Sequence, residues 1–135
     1  MVGFSPDEGE TVRAQQILQN VVTDRGTDLD LIIITAPVPP FLETVVVGDL
    51  TELTGFGYAR VQLVDATWSD SGGNVWTYPE QIFTPAGGAW TNIRGYAILT
   101  RGTTPRILVI EDDPNQPVTV PDGQQYRITP RIPMI

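Results

Sequence analysis

The chain contains no cysteine, no histidine and no lysine, so its eight basic residues are all arginine. Without cysteine there is no disulfide, no thiolate nucleophile and no zinc–sulfur site. Without histidine the commonest general base and the commonest transition-metal ligand are both missing. Without lysine neither a Schiff base nor a phosphate-loop lysine is possible. A carboxylate pair, a hydroxyl lacking its histidine base, or a tyrosine is all that remains for catalysis, as in acidic glycosidases. The expectation is a protein that is not an enzyme and takes no cofactor.

Positive charge is also scarce: eight arginines face sixteen carboxylates, a net charge of −8. No basic footprint for gripping phosphates is visible, and the same repulsion disfavours anionic membranes. Neither nucleic acid nor membrane is expected as a partner. No apolar run approaches the ~18–20 residues that span a bilayer; the longest, Leu31 to Ile34, suits a buried strand. Met1 to Pro6 has neither the basic start nor the apolar centre of a signal peptide, so a cytosolic origin, or release by lysis, is expected.

What is present is enough for a core. The chain has 135 residues, 41 % of them hydrophobic and 18 % charged, the size and balance of one ordinary domain. One helix is predicted, from about Pro6 to Val21. Ser5 would cap it, Pro6 would open it and Glu8 would complete a capping box. Asp7, Glu8 and Glu10 suit its positive end. Ala14, Ile17, Leu18 and Val21 recur at helical spacing and predict its buried stripe. Two readings stay open: the helix caps its own β-domain, or it is an arm that docks on a neighbouring subunit.

Beyond Gly26 the pattern turns to short strands. Leu29 to Thr35 reads as a strand buried on both faces, and Ala36 to Pro40 as a stiff bridge that leaves the sheet. Further strands are predicted at Val45–Val47, Tyr58–Ala66, Val75–Tyr78, Gln81–Thr84, Trp90–Thr100, Arg106–Glu111, Val118–Val120 and Gln124–Pro130. Ser69 to Asn74 is predicted as a hairpin turn, and Gly95 as a point of close backbone approach or a bulge. The architecture expected is all-β, a jelly-roll-like β-sandwich at residues 26–135 with a short N-terminal helical arm at residues 1–25.

Candidate sites follow from composition. Glu111, Asp112 and Asp113 with Asn115 are the densest acidic cluster, read as solvated turn residues against an alternative of a hard-cation site. Asp65, Asp70, Glu80 and Glu111 are the carboxylates from which a glycosidase pair would be drawn. Trp68, Trp76, Trp90 and Tyr78 are either core or a sugar-stacking face. Six arginines at 60, 94, 101, 106, 127 and 131 lie in or beside strands, suited to bidentate pairs within or between subunits.

The runs Gly57-Tyr58-Ala59-Arg60-Val61, Ile82-Phe83-Thr84, Trp90 to Ile98, and Pro117 to Pro130 occur in an order that resembles small virion structural proteins of tailed bacteriophages. The resemblance covers about Gly55 to Pro130. It implies a capsid decoration or cement protein, a homo-trimer seated on the major capsid protein or another virion protein, and located in the virion after assembly in the host cytoplasm. The interface expected under it comprises Ile17, Leu18, Val21, Pro37, Pro39, Pro40, Arg60 and Arg94. A tail, neck or fibre-adaptor module is the alternative virion position, and a carbohydrate-binding β-sandwich is the alternative of another class.

Overall fold

Leu-Asp-Leu-Ile-Ile-Ile-Thr-Ala, from Leu29 to Ala36, is rich in β-branched and aliphatic residues and forms the strand (β1) on which the rest is assembled. The computed structural model describes residues 3–18, 29–64, 67–101 and 104–133, with the backbone alone at residues 16–18. Eleven further strands follow among the described residues. They are β2 (Thr51–Glu52), β3 (Val61–Leu63), β4 (Ser69–Asp70), β5 (Val75–Thr77), β6 (Gln81–Phe83), β7 (Trp90–Ile93), β8 (Gly95–Thr100), β9 (Ile107–Asp112), β10 (Val118–Val120), β11 (Tyr126–Ile128) and β12 (Arg131–Pro133). With one helix, α1 (Asp7–Leu18), the chain is all-β in several antiparallel sheets carrying a short N-terminal helix.

Side chains alternate across a strand, so β1 serves two cores. Leu29, Leu31 and Ile33 join Phe83, Trp90, Ile98 and Val109 in the larger cluster. Ile32 and Ile34 point the other way, joining Ala97, Leu99, Ile107 and Ile110 in the smaller one. The expected double burial of this strand is what the structure shows. One edge of β1 pairs with β8 from Leu29↔Thr100 to Ile34↔Gly95, while its other edge is shared by β3 and β2.

From β5 onward the pairing is nested. β8 pairs with β9, β7 with β10, β6 with β11, and β5 with β12, all antiparallel. Backbone hydrogen bonds carry the ladder across the gaps: Asp113 N to Arg94 O (2.8 Å), Gly123 N to Pro85 O (3.0 Å) and Tyr78 N to Pro130 O (2.9 Å). Residues 75–133 are therefore one long bent hairpin, the nested pairing from which jelly rolls are built. The sheets are unequal, of five, three, two and two strands. A hairpin does form at the turn expected at Ser69 to Asn74, but the turn is confined to residues 71–74, because Ser69 and Asp70 pair as β4 with β5.

Four predicted strands differ from those observed. Of Tyr58 to Ala66, only Val61–Leu63 is strand among the described residues, with Tyr58 to Arg60 outside it. Trp90 to Thr100 divides at Arg94, where Asn92 takes a left-handed φ of 59° and the chain passes from one sheet to another. Val45–Val47 makes no strand: Val45 is buried alone, and Val47–Asp49 is a short 3-10 turn. Gln124 to Pro130 contains only β11, with β12 following separately. Gly95 is the close approach expected of it, since a Cβ there would overlap the backbone carbonyl of Glu111.

The N-terminal segment covers an edge. Phe4 and Ile110 exchange two backbone hydrogen bonds of 3.0 Å. Ser5 Oγ donates to Leu108 O (2.6 Å), and Glu8 Oε2 accepts from Ile107 N (2.8 Å). The hydroxyl and carboxylate expected to cap the helix thus satisfy β9 instead, whose open backbone groups would otherwise invite strand addition. α1 lies so close to β9 that a Cβ on Gly9 would fall 2.5 Å from Leu108 O. Gly9 and Val12 are buried and Ala14 is exposed, so the apolar stripe expected through Ala14 is not the packed face among the described residues. Of that stripe, the Ile17 and Leu18 side chains and all of Val21 lie outside the described residues. The described part of the arm packs on its own domain.

Gly95→Ala should lower stability by about 1–3 kcal/mol, because the new methyl forces β8 and β9 apart. Urea denaturation followed by Trp fluorescence measures this, and an unchanged midpoint would contradict the close approach.

Candidate functional site

Two regions stand out, and they differ in whether their polar groups are already engaged. The first is a cleft of about 560 Å³ between β8–β9 and β11–β12, where Glu111, Asp112 and Asp113 meet Tyr96, Tyr126 and Arg131. Glu111 and Asp112 end β9 and Asp113 follows it, and the acids are held differently. Glu111 is buried and accepts from Arg131 Nη2 at 3.2 Å and from the Tyr96 hydroxyl. Asp113 accepts from Tyr126 Oη at 2.7 Å and from Asn115 N at 2.8 Å. Among the described residues no three acidic side chains converge as a cation would require. The carboxylates considered for glycoside cleavage are likewise dispersed. Glu80 pairs with Arg127 (2.8 Å), Asp70 accepts from Gly72 N (2.8 Å), and Asp65 lies outside the described residues.

The tyrosine hydroxyls mend breaks in the ladders. Between β3 and β2 the edge of β1 leaves Ile33 N without a strand partner, and Tyr58 Oη accepts from it (3.1 Å) while donating to Glu52 (2.7 Å). Tyr78 Oη accepts from Val64 N (3.2 Å), and Tyr96 Oη from Arg131 N (3.3 Å). Burial foremost, and then a carboxylate partner, pushes the Tyr58, Tyr96 and Tyr126 hydroxyls above the ordinary value of 10.0.

The aromatic residues considered for a sugar platform are not gathered on one surface. Trp90 is 2 % exposed with its indole N–H on Gly55 O (3.1 Å), and Tyr78 is buried with Trp68 packed edge-on at 5.2 Å. Trp76 alone of the four is exposed.

Arginine is engaged within the chain. Buried Asp30, the one acid on β1, is met by Arg60 (3.4 Å) and Arg101 (3.3 Å), and Arg60 also reaches Glu52 (2.6 Å). These guanidiniums are half exposed, so their role is to satisfy a buried carboxylate more than to add net stability. Arg94 donates to Gln116 Oε1 (2.7 Å) from where β7 meets β8, and its Nε is buried without a hydrogen-bond partner. Arg60 and Arg94, two of the residues expected at an interface, make side-chain hydrogen bonds within their own chain.

The second region is the connection from β1 to β2. Pro37 and Pro39 are half-buried and Pro40 is exposed. Around them Val38 and Leu42 are 62 % and 69 % exposed, with Val46 also outward. Pro37, Val38, Pro40, Leu42, Thr44 and Asp49 line a hollow of about 430 Å³. The three apolar residues Val38, Leu42 and Val46 were not among those expected at an interface. The available signals were Val38 between Pro37 and Pro39, and Leu42 just after the proline run; Val46 lay in a run read as a strand.

Comparison with family models, with curated proteins and with solved structures returned no match.

Raised tyrosine values have a signed consequence. In the unfolded chain these hydroxyls ionise near pH 10, whereas in the folded chain they stay protonated, so stability is intact below that value and falls above it. Urea midpoints should hold steady up to about pH 9 and fall between about pH 10 and 11. A midpoint that holds or rises across that upper interval would contradict the buried hydroxyl bonds.

Proposed function

We propose that this chain is a structural protein of a tailed-bacteriophage virion, a decoration or cement protein that binds and stabilises the assembled major capsid shell. One observation carries the reading. Among the described residues, the carboxylates Asp30, Glu52, Glu80, Glu111 and Asp113 are each engaged by arginine or tyrosine of the same chain, whereas an apolar loop region on a β-scaffold stays exposed. A clamp on a preassembled surface needs a stable core and an apolar contact region, and no reacting group. The segments that resemble virion proteins fall largely on strands here: they contain β7, β10 and β11 and overlap β3, β6 and β8. A nested β-hairpin with its β9 edge covered by the N-terminal segment gives a rigid body whose contacts are made by loops.

A ligand that binds the shell and not its dispersed subunits stabilises the shell by mass action. Undecorated shells of the encoding phage, mixed with purified protein and sedimented, should bind it to a fixed saturating ratio, and their melting temperature should rise. In solution the protein is expected as a trimer, three times the chain mass of 14.8 kDa by light scattering. Failure to co-sediment with intact shells would overturn the decoration role.

A further inference from the structure

We infer that the β1–β2 connection is the docking surface, and that its occupant is a partner-protein segment presenting an apolar anchor side chain flanked by arginine or lysine. The inference rests on the reading of the chain as a shell-binding protein and assigns the contact to one loop of it.

Three observations support it. First, three of the exposed large apolar side chains, Val38, Leu42 and Val46, fall on this one connection and beside a hollow, whereas Phe56, Val64, Trp76 and Ile82 are exposed on other segments. Val38 and Leu42 belong to the lining of the 430 Å³ hollow, and Val46 stands beside it in sequence.

Second, the loop is held in shape before any partner arrives. Val45 is buried in the smaller core, and its N–H bonds Leu42 O (3.1 Å). Asp49 Oδ2 accepts from Val46 N (3.0 Å), and Asp7 N anchors Glu43 O (3.0 Å). Pro37, Pro39 and Pro40 fix three φ angles besides. A surface already ordered loses little conformational freedom on binding.

Third, charge selects the occupant. No basic residue occurs between Arg25 and Arg60, while Glu43 and Asp49 stand exposed at the loop. A second copy seated loop to loop would bring these carboxylates against their own counterparts, and a phosphate-bearing partner would be repelled as well. An apolar anchor with basic flanks matches both features.

The test uses undecorated shells of the encoding phage as the probe and four forms of the full chain: wild type, Leu42→Asp, Glu43→Arg, and Ile82→Ser. Leu42 and Glu43 are exposed, and Ile82, 50 % exposed on β6, is an apolar control away from the loop. Thermal midpoints of all four should agree, because no buried side chain is altered. Wild type and Ile82→Ser should bind alike. Leu42→Asp should bind at least about tenfold more weakly. Glu43→Arg should bind more weakly at low salt, with the difference shrinking as salt rises. If wild type does not bind shells, the decoration reading itself fails. If wild type binds and Leu42→Asp binds equally, or Ile82→Ser is the variant that loses binding, the docking site is wrong. Tighter binding by Glu43→Arg would overturn the basic-flanked occupant. A wild-type self-association abolished by Leu42→Asp would assign the surface to a second copy and overturn it too.

Discussion

A strand whose two faces are both dry places demands on everything around it, and β1 is that strand. Its odd-numbered side chains from Leu29 to Ile33 fill one core and its even-numbered Ile32 and Ile34 fill the other. Both layers must therefore exist for β1 to be buried, and both edges must be paired. β8 supplies one edge. The other is supplied in two short pieces, β3 and β2, and the hydroxyl of Tyr58 closes the interval between them. The single acid on the strand, Asp30, brings its own requirement, answered by Arg60 and Arg101 arriving from different segments.

The same economy explains where the reactive-looking residues are. Tyrosine and arginine side chains do much of the satisfying of polar groups inside the fold. Tyr58, Tyr78 and Tyr96 each accept a hydrogen bond from a backbone N–H. Arg60, Arg101 and Arg131 neutralise buried Asp30 and Glu111. What remains outward at the β1–β2 connection is apolar and acidic, a surface suited to contact between proteins.

Much of this was legible in the amino-acid pattern. The doubly buried strand announced itself as an apolar run bounded by Pro37, and Val118–Val120 stood where turn residues placed it, while the turn expected at Ser69–Asn74 is shorter, its first two residues being strand. Elements were missed where the determining contact is made by backbone or by the absence of a side chain. α1 packs through Gly9 and Val12, and counting apolar residues at helical spacing passes over a glycine whose value is closeness. Ser5 and Glu8 have cap-like spacing, but the unpaired edge of β9 is the stronger claimant on both. Val45–Val47 has strand-like residues, yet no edge lies beside it to pair with. The exposed valine and leucine of the loop were hidden for a related reason: composition does not show which apolar residues the fold leaves outside.

The nested ribbon also dictates an order of assembly. Closing β8 on β9 ties off only a short loop, so it has the smallest entropic cost of any pair in the series. Each later pair, β7 with β10, then β6 with β11, then β5 with β12, begins where the one before it has already brought the two strands side by side. The contact between Val75 and Pro133, far apart along the chain, is thus reached by successive short closures, as a zipper is drawn from its closed end. β1 is made before this ribbon, yet its longest pairing must wait for β8. The strand on which both cores rest thus takes its longest partner from the closed end of the ribbon.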